Sequence, residues 1–324
     1  MAEPARLAFR PSRKAKKGKL RRLLSIDPLL RGPLPDVPLL ACVFGLLVFG
    51  WIMVYSSSAL VAELKYKDQF FFLKRQILWS IIGLGGFIVA AKLPLDFWRK
   101  AARPLYAFTL VALAAVLVIG PSISGARRWI RLPGASFQPS ELAKLSLVLV
   151  AADYMDRRQS RLKNFKKGLL PLLVLAGMMI GLIVMEPDLG TPMLMSSVFA
   201  ALLILGGASW LHFITLGLSA LPLIAVAVFK VRYRLQRLFA YLNPWADAQG
   251  KGYQLISSLL AMGSGGFFGR GLGESRLKVG NLPDCHTDFV FSILGEELGL
   301  VGTLTVAFLF LALCLRGLRI SKNS

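Results

Sequence analysis

The chain has 324 residues, of which 55% are hydrophobic, and it carries a formal net charge of +22. Apolar residues gathered in long uncharged runs exclude an ordinary soluble domain and indicate a protein that crosses a membrane several times. The positive charge does not indicate nucleic-acid binding, because the cations lie in loops between apolar runs and few aromatic residues accompany them.

The first 36 residues form a basic segment that is rich in Pro and Gly. We expect a disordered cytoplasmic tail that lies on anionic lipid. It does not resemble a signal peptide, because no small-residue cleavage site follows the first apolar run.

The apolar runs predict about eight transmembrane helices, and therefore an all-α polytopic membrane domain over residues 37–324. A bilayer core requires roughly 20 apolar residues per helix. One run of double length divides naturally at Gly206 and Gly207. The predicted spans are residues 37–62, 77–91, 104–120, 139–155, 168–185, the two halves of 189–229, and 298–315.

Lys and Arg in short loops predict the orientation of these helices, because such loops stay in the cytoplasm. The basic residues concentrate in the N-terminal tail, after the second and fourth spans, and at the C-terminus. With eight spans these segments all fall on one side, so both termini are predicted to be cytoplasmic. The long loop at residues 230–288 is then extracytoplasmic.

Both outer loops carry cations that topology does not favour. Arg127 and Arg128 adjoin Trp129 in the shorter loop, and Arg270 lies in a glycine-dense stretch of the longer one. Arginine pairs well with phosphate oxygens, which predicts a site for phosphate or pyrophosphate at the bilayer surface. The alternative is a basic loop that is merely tolerated, since long loops cross membranes despite their charge.

Ionisable residues at membrane depth are costly, so they indicate function. Glu141 and Lys144 share a helix face, either as a self-neutralising ion pair or with Lys144 on an anionic substrate and Glu141 holding it. Ser140 stands near the cap position of the same helix. In the tight turn formed by Glu186, Pro187 and Asp188, the aspartate is predicted to cap the following helix.

A second group of ionisable residues precedes the last span. His286 and Asp288 form a His-x-Asp pair, which is weak evidence for a metal site without further ligands. We favour Asp288 as a general base, because it lies between the basic loop and the membrane. Glu296 and Glu297 are predicted to be structural partners of loop cations.

Five segments in register together resemble the SEDS family (shape, elongation, division and sporulation) of FtsW/RodA-like proteins. They are residues 126–130, 137–144, 186–191, 243–254 and 286–299. Asn-Pro-Trp at 243–245, Gly-Leu-Gly at 271–273 and the Glu-Pro-Asp turn favour the division branch of the family.

The resemblance implies a peptidoglycan glycosyltransferase of the bacterial inner membrane. Such an enzyme polymerises lipid II, an undecaprenyl-pyrophosphate-linked disaccharide peptide, at the outer face during septal wall synthesis. The resemblance also implies a class B penicillin-binding transpeptidase and other division proteins as partners. The family's catalytic Asp maps onto Asp288. Candidate substrate-binding residues are Arg127, Arg128, Glu141, Lys144, Arg270 and His286, with Glu186, Asp188, Glu296 and Glu297 in supporting roles.

Other features of the chemistry stay open at this point. Loop cations are expected to stabilise the leaving pyrophosphate, with or without a divalent cation such as Mg²⁺ or Mn²⁺. The family usually has ten spans, against eight predicted here. Two alternative functions remain: a lipid II flippase, for which Glu141 and Lys144 are the polar candidates inside a span, and a non-catalytic division scaffold if further helices are essential.

Overall fold

Over the residues that it describes, the computed structural model contains helices and one short hairpin. Residues 1–35 of the predicted tail and His286 lie outside the part of the chain that the structure describes. The described residues are 36–122, 125–132, 135–162, 164–186, 188, 190–209, 214–215, 217–218, 229, 232–276 and 287–323.

The main helices are numbered here in chain order. They are α1 Val37–Tyr66, α2 Phe71–Lys92, α3 Leu95–Ile119, α4 Pro139–Arg157, α5 Leu170–Met185, α6 Gly190–Leu205, α7 Arg232–Leu242, α8 Tyr253–Ser264 and α9 Val290–Asn323. Strands β1 (Ile130–Leu132) and β2 (Ala135–Phe137) pair in antiparallel fashion between α3 and α4, with Ile130 opposite Phe137. A π-helical turn, Phe165–Leu169, leads into α5, and a 3-10 turn, Pro244–Asp247, precedes α8.

Helices α1, α2, α3, α5 with its π turn, and α9 are long and apolar enough to cross a bilayer. Helix α6 is a shorter apolar helix. Helix α4 covers the predicted span at residues 139–155 but carries several polar side chains. The chain is therefore an all-α polytopic membrane protein, as the apolar runs predict. Most of the predicted span after residue 209 lies outside the described residues.

One of the two units of the chain, Leu93–Ala227, is held together by α3, α4, α5 and α6. Its core contains Leu113, Leu147, Met179 and Met195, which are almost completely buried. The hydroxyl of Tyr106 donates to the Leu175 carbonyl at 2.8 Å and so joins α3 to α5.

The first helix of the double-length apolar run, α6, ends at the glycines where the sequence predicts a break. After α6, the N–H groups of Gly206 and Gly207 donate to the carbonyls of Leu202 and Ile204 at 2.8 and 3.1 Å. Gly207 has a φ of 77°, a left-handed conformation that ends many helices. The predicted break is confirmed.

The other unit comprises Met1–Lys92 and Val228–Ser324, and its centre is the packing of α1 against α9. Asp36 caps α1 by accepting from the Leu39 N–H at 2.9 Å. The same carboxylate accepts from Nε of Arg316, in the C-terminal part of α9, at 3.2 Å. The start of α1 and the C-terminal part of α9 therefore lie at the same end of this unit.

Helix α9 is broken at Gly299, whose φ is 65°. Beyond the break, the N–H groups of Leu300 and Val301 donate to the carbonyls of Gly266 and Phe267 at 2.9 and 3.1 Å. These acceptors belong to the glycine-dense stretch that follows α8.

The same stretch also satisfies the carbonyls before the break. The N–H groups of Arg270 and Gly271 donate to the carbonyls of Glu296 and Glu297, each at 3.0 Å. Backbone groups of a membrane protein need internal partners, so the loop replaces the hydrogen bonds that the broken helix loses. Residues 265–271 and 296–301 consequently form one interlocked backbone element, which we call the α9 break.

Gly269 shows why this stretch needs glycine. Its φ is 77°, which disfavours residues with a side chain. A Cβ at this position would also collide with the carbonyl oxygen of Glu297. The backbones of the loop and of α9 can therefore approach closely only if residue 269 has no side chain.

We expect Gly269→Ala to destabilise the protein by about 2–4 kcal/mol, because it adds both strain and a clash with backbone. Thermal unfolding in detergent measures the effect. Gly263→Ala is the matched control, since it lies within α8 and a Cβ there would meet no atom within 4 Å. Equal stability of the two variants would contradict the close backbone approach.

Candidate functional site

Asp288 lies in the turn that leads into α9, and it is exposed. The Phe289 carbonyl accepts from the N–H groups of Ser292 and Ile293, so α9 begins directly after this aspartate. A negative charge is favourable at such a helix start. Within the described parts of the chain, the Asp288 carboxylate forms no hydrogen bond or ion pair. Its oxygens are therefore open to a ligand.

Glu296 is buried and fixes the long loop to α9. Its carboxylate accepts from the Ser275 hydroxyl at 2.6 Å and from the Arg276 N–H at 3.1 Å. The guanidinium of Arg270 lies 3.7 Å from the same group. Glu296 is thus a structural partner of a loop cation, Arg270, as the sequence predicts.

Glu297 is also buried but points to a different element. Its two carboxylate oxygens each lie 2.7 Å from the hydroxyl of Ser56 in α1. The hydroxyls of Ser258 and Ser292 bond to each other at 2.6 Å and join α8 to α9 in the same way. Serines therefore anchor both sides of α9.

Arg270 contacts the loop in which it lies. Its Nε donates to the Ser264 carbonyl at 3.2 Å, in addition to the ion pair with Glu296. About a third of the side chain, 35%, is exposed. The proposed substrate contact of Arg270 would therefore have to add to these two bonds or replace them.

In the other unit, Arg127 and Arg128 precede the hairpin and contact two different helix ends. Nη1 of Arg127 donates to the carbonyls of Leu117 and Val118 near the end of α3, at 3.1 and 3.3 Å. Nε of Arg128 donates to the main-chain carbonyl of Glu186, just after α5, at 3.3 Å. Arginines suit both positions, because the last carbonyls of a helix lack partners within it.

Glu141 and Lys144 form the ion pair that their spacing predicts. The Lys144 ammonium lies 2.7 Å from the Glu141 carboxylate, and the two side chains are 34% and 59% exposed. Ser140, by contrast, does not cap α4. Gln138 occupies the cap position without a side-chain bond, and the buried Ser140 hydroxyl has no partner among the residues described.

Asp188 caps α6, as the sequence predicts. One carboxylate oxygen accepts from the N–H groups of Gly190 and Thr191 at 3.0 and 3.4 Å. The other oxygen accepts from the Thr191 hydroxyl at 2.9 Å. Both oxygens of Asp188 therefore bond to the first turn of the helix.

Glu186 is the unusual residue of this turn. It lies between α5 and α6, its side chain is fully buried, and neither carboxylate oxygen has a hydrogen-bond partner among the described residues. Burial and, to a smaller extent, the negative charge of Asp188 raise the pKa of Glu186 to about 7, against the opposing effect of the Arg128 charge. A buried carboxyl in this state costs free energy, so a functional reason for it is expected.

The candidate residues thus fall into two groups, one in each unit. Asp288, Arg270, Glu296 and Glu297 belong to the first, and Arg127, Arg128, Glu141, Lys144, Glu186 and Asp188 to the second. Across the described residues, no three His, Cys, Asp or Glu side chains are grouped so as to hold a metal ion. A divalent cation therefore stays a prediction.

Sequence reasoning missed the serines that fix α9. Ser56 precedes Glu297 by 241 residues. No local spacing could pair two residues so far apart. The contact becomes visible only when α1 packs against α9.

We expect the stability of the protein to fall as the pH rises from about 5 to about 8, and Glu186→Gln to remove part of that fall. A carboxyl whose pKa is higher in the folded state stabilises the fold fully below its unfolded pKa, near 4.5, and loses that contribution as the pH passes about 7. The difference is on the order of 3 kcal/mol for a fully buried group. Thermal unfolding of the wild type and of Glu186→Gln, in detergent at about pH 5 and about pH 8, tests this prediction. If stability changes equally with pH in the two proteins, the prediction is contradicted.

Comparison with known proteins identifies the family. The model for the FtsW, RodA and SpoVE family of cell cycle proteins matches residues 37–324. A relative from Geobacter sp. (strain M18), named probable peptidoglycan glycosyltransferase FtsW, is 44% identical over 84% of this chain and 75% of its own length. Stage V sporulation protein E of Bacillus subtilis (strain 168) is 39% identical over 90% of this chain and 80% of its own length.

Two solved structures support the same family. A chain from a peptidoglycan synthase complex that coordinates polymerization and crosslinking matches with a TM-score of 0.69 and 31% identity, over 87% of this chain and 77% of its own. RodA of Thermus thermophilus matches with a TM-score of 0.58 and 28% identity, over 88% of this chain and 74% of its own. The chain therefore belongs to the FtsW/RodA/SpoVE family of membrane proteins.

Proposed function

We propose that this chain is a peptidoglycan glycosyltransferase that polymerises lipid II during cell division. The observation that carries the proposal is the exposed carboxylate of Asp288 at the start of a membrane helix, in a relative of proteins named for this activity. A lipid-linked sugar stands at the same boundary between water and bilayer, so its hydroxyl can reach this carboxylate.

In the proposed reaction, Asp288 accepts the proton of the 4-hydroxyl of an acceptor sugar. The oxygen then bonds to the anomeric carbon of the donor, and the bond from that carbon to undecaprenyl pyrophosphate breaks. The pyrophosphate leaves with the electron pair, so negative charge develops on its oxygens. Cationic side chains that contact those oxygens lower the barrier.

The cations proposed for this role are Arg127, Arg128, Lys144 and Arg270, with His286. The described contacts of Arg127 and Arg270 are largely to backbone carbonyls, which hold the side chain and leave other donors of the guanidinium for a ligand. Lys144 is neutralised by Glu141. A pyrophosphate group would compete for that ammonium, while Glu141 keeps it in place.

The proposed setting is the septum of a dividing bacterium. We place both termini in the cytoplasm and the long loop outside, in accord with the distribution of Lys and Arg. The contact between Asp36 and Arg316 supports termini on one side, because it joins the start of α1 to the end of α9. The likeness to a synthase complex supports a class B penicillin-binding transpeptidase as partner.

We expect Asp288→Asn to abolish polymerisation, because the amide cannot accept the proton at the acceptor oxygen. The assay follows labelled lipid II with the purified protein and its transpeptidase partner, and the loss should be at least about 100-fold. Glu274→Gln is the control, since it neutralises another exposed carboxylate of the long loop. Near wild-type glycan synthesis by the Asn variant would remove Asp288 as the base.

We expect Arg128→Gln to weaken lipid II binding, because glutamine cannot form the charge-assisted, bidentate bonds that arginine makes with phosphate. The same change should lower the free energy of unfolding by about 1 kcal/mol or less, the value of one hydrogen bond. Arg131→Gln, in strand β1 of the hairpin that follows Arg128, is the charge-matched control. A variant that unfolds readily but binds normally when folded would make Arg128 structural.

A further inference from the structure

Glu186 contacts a proposed substrate-binding cation, yet nothing in the proposed reaction uses it. Its main-chain carbonyl accepts from Nε of Arg128 at 3.3 Å. Its N–H donates to the Ile183 carbonyl at 3.0 Å, so the backbone of the residue is bonded on both sides. The carboxyl of this residue is fully buried, and no hydrogen-bond partner for it lies in the part of the chain that the structure describes.

Two charged groups act on that carboxyl. Arg128 attracts its ionised form, and Asp188 repels it. Asp188 cannot readily move away, because three hydrogen bonds hold it at the start of α6. Arg128 is only half-buried and lies next to the outer hairpin, so it is the member of the group that a ligand from outside can reach.

We propose that Glu186 is a positioning residue for Arg128: as a carboxylate it draws the guanidinium inward, and as a neutral acid it leaves that charge to the pyrophosphate of the lipid-linked substrate. Binding of the pyrophosphate and protonation of Glu186 then favour each other. The proposal rests on the proposed function, since it takes lipid II as the ligand of Arg128.

Electrostatic repulsion predicts whether protonation of Glu186 raises or lowers the affinity for lipid II. Two negative groups, the pyrophosphate and an ionised Glu186, would share one guanidinium, and the buried carboxylate would repel the incoming ligand. Protonation removes this competition. Because the pKa of Glu186 is raised to about 7, the change falls within the physiological range. Affinity should therefore increase as the pH falls from about 8 to about 6.

Labelled lipid II is a suitable probe, because both of its phosphates are esterified and keep a constant charge over this range. We expect the full-length wild-type protein in detergent to bind it about fivefold more tightly at pH 6 than at pH 8, a typical coupling between two sites. Glu186→Gln imitates the neutral acid. It should bind at pH 8 nearly as tightly as the wild type does at pH 6.

Two controls test whether the effect depends on the contact between Glu186 and Arg128. In an Arg128→Gln background, Glu186→Gln should no longer change affinity, because a double-mutant cycle reports the coupling of the pair. Asp96→Asn removes an exposed carboxylate from the same unit and should leave the wild-type pH profile unchanged. Comparison of wild type with the Gln variant also cancels any titration of His286, which both proteins retain.

The proposal fails if the Gln variant and the wild type bind lipid II with the same ratio of affinities at pH 6 and pH 8. It also fails if the effect of Glu186→Gln persists without Arg128, or if the wild type does not bind lipid II. Wild-type polymerisation alongside an unchanged ratio would overturn the role of Glu186 alone. Absence of polymerisation by the wild type would instead overturn the proposed function.

Discussion

The hydrogen bonds across the break in α9 are the constraint on which the site around Asp288 depends. A membrane helix that is interrupted exposes carbonyls before the break and N–H groups after it, and hydrocarbon offers them no partner. The glycine-dense stretch after α8 supplies both kinds of partner, through Gly266, Phe267, Arg270 and Gly271. The long loop is thereby held against the last helix, a few residues beyond the proposed catalytic aspartate.

Among the described residues, the buried glutamates fall into two classes, those that accept hydrogen bonds and one that does not. Glu296 and Glu297 accept hydrogen bonds from Ser275, Arg276 and Ser56, and these bonds fasten the loop and α1 to α9. The Glu186 carboxyl has no such bonds within the described ranges. The first two therefore stabilise one arrangement, whereas Glu186 is better suited to a role that changes with protonation.

The cations proposed to bind the substrate are held in two different ways. Arg127 and Arg128 donate to carbonyls at the ends of α3 and α5, and these bonds hold the two side chains in place. Lys144 is instead paired with Glu141 on one face of α4. A guanidinium that a backbone carbonyl holds in place can still donate to an anion, which favours the arginines as part of the proposed anion site.

The sequence by itself determined the class of the protein, because bilayer thickness sets the length of an apolar run and local spacing sets helix faces. It also determined the cap by Asp188, the pair formed by Glu141 and Lys144, and the end of α6 at its glycines, which all depend on neighbours within a few residues. Only the tertiary structure decided that α9 is broken, that Ser56 meets Glu297, and that Glu186 is buried beside Arg128. These contacts join residues far apart in the chain, and their energies depend on burial, which no local pattern records.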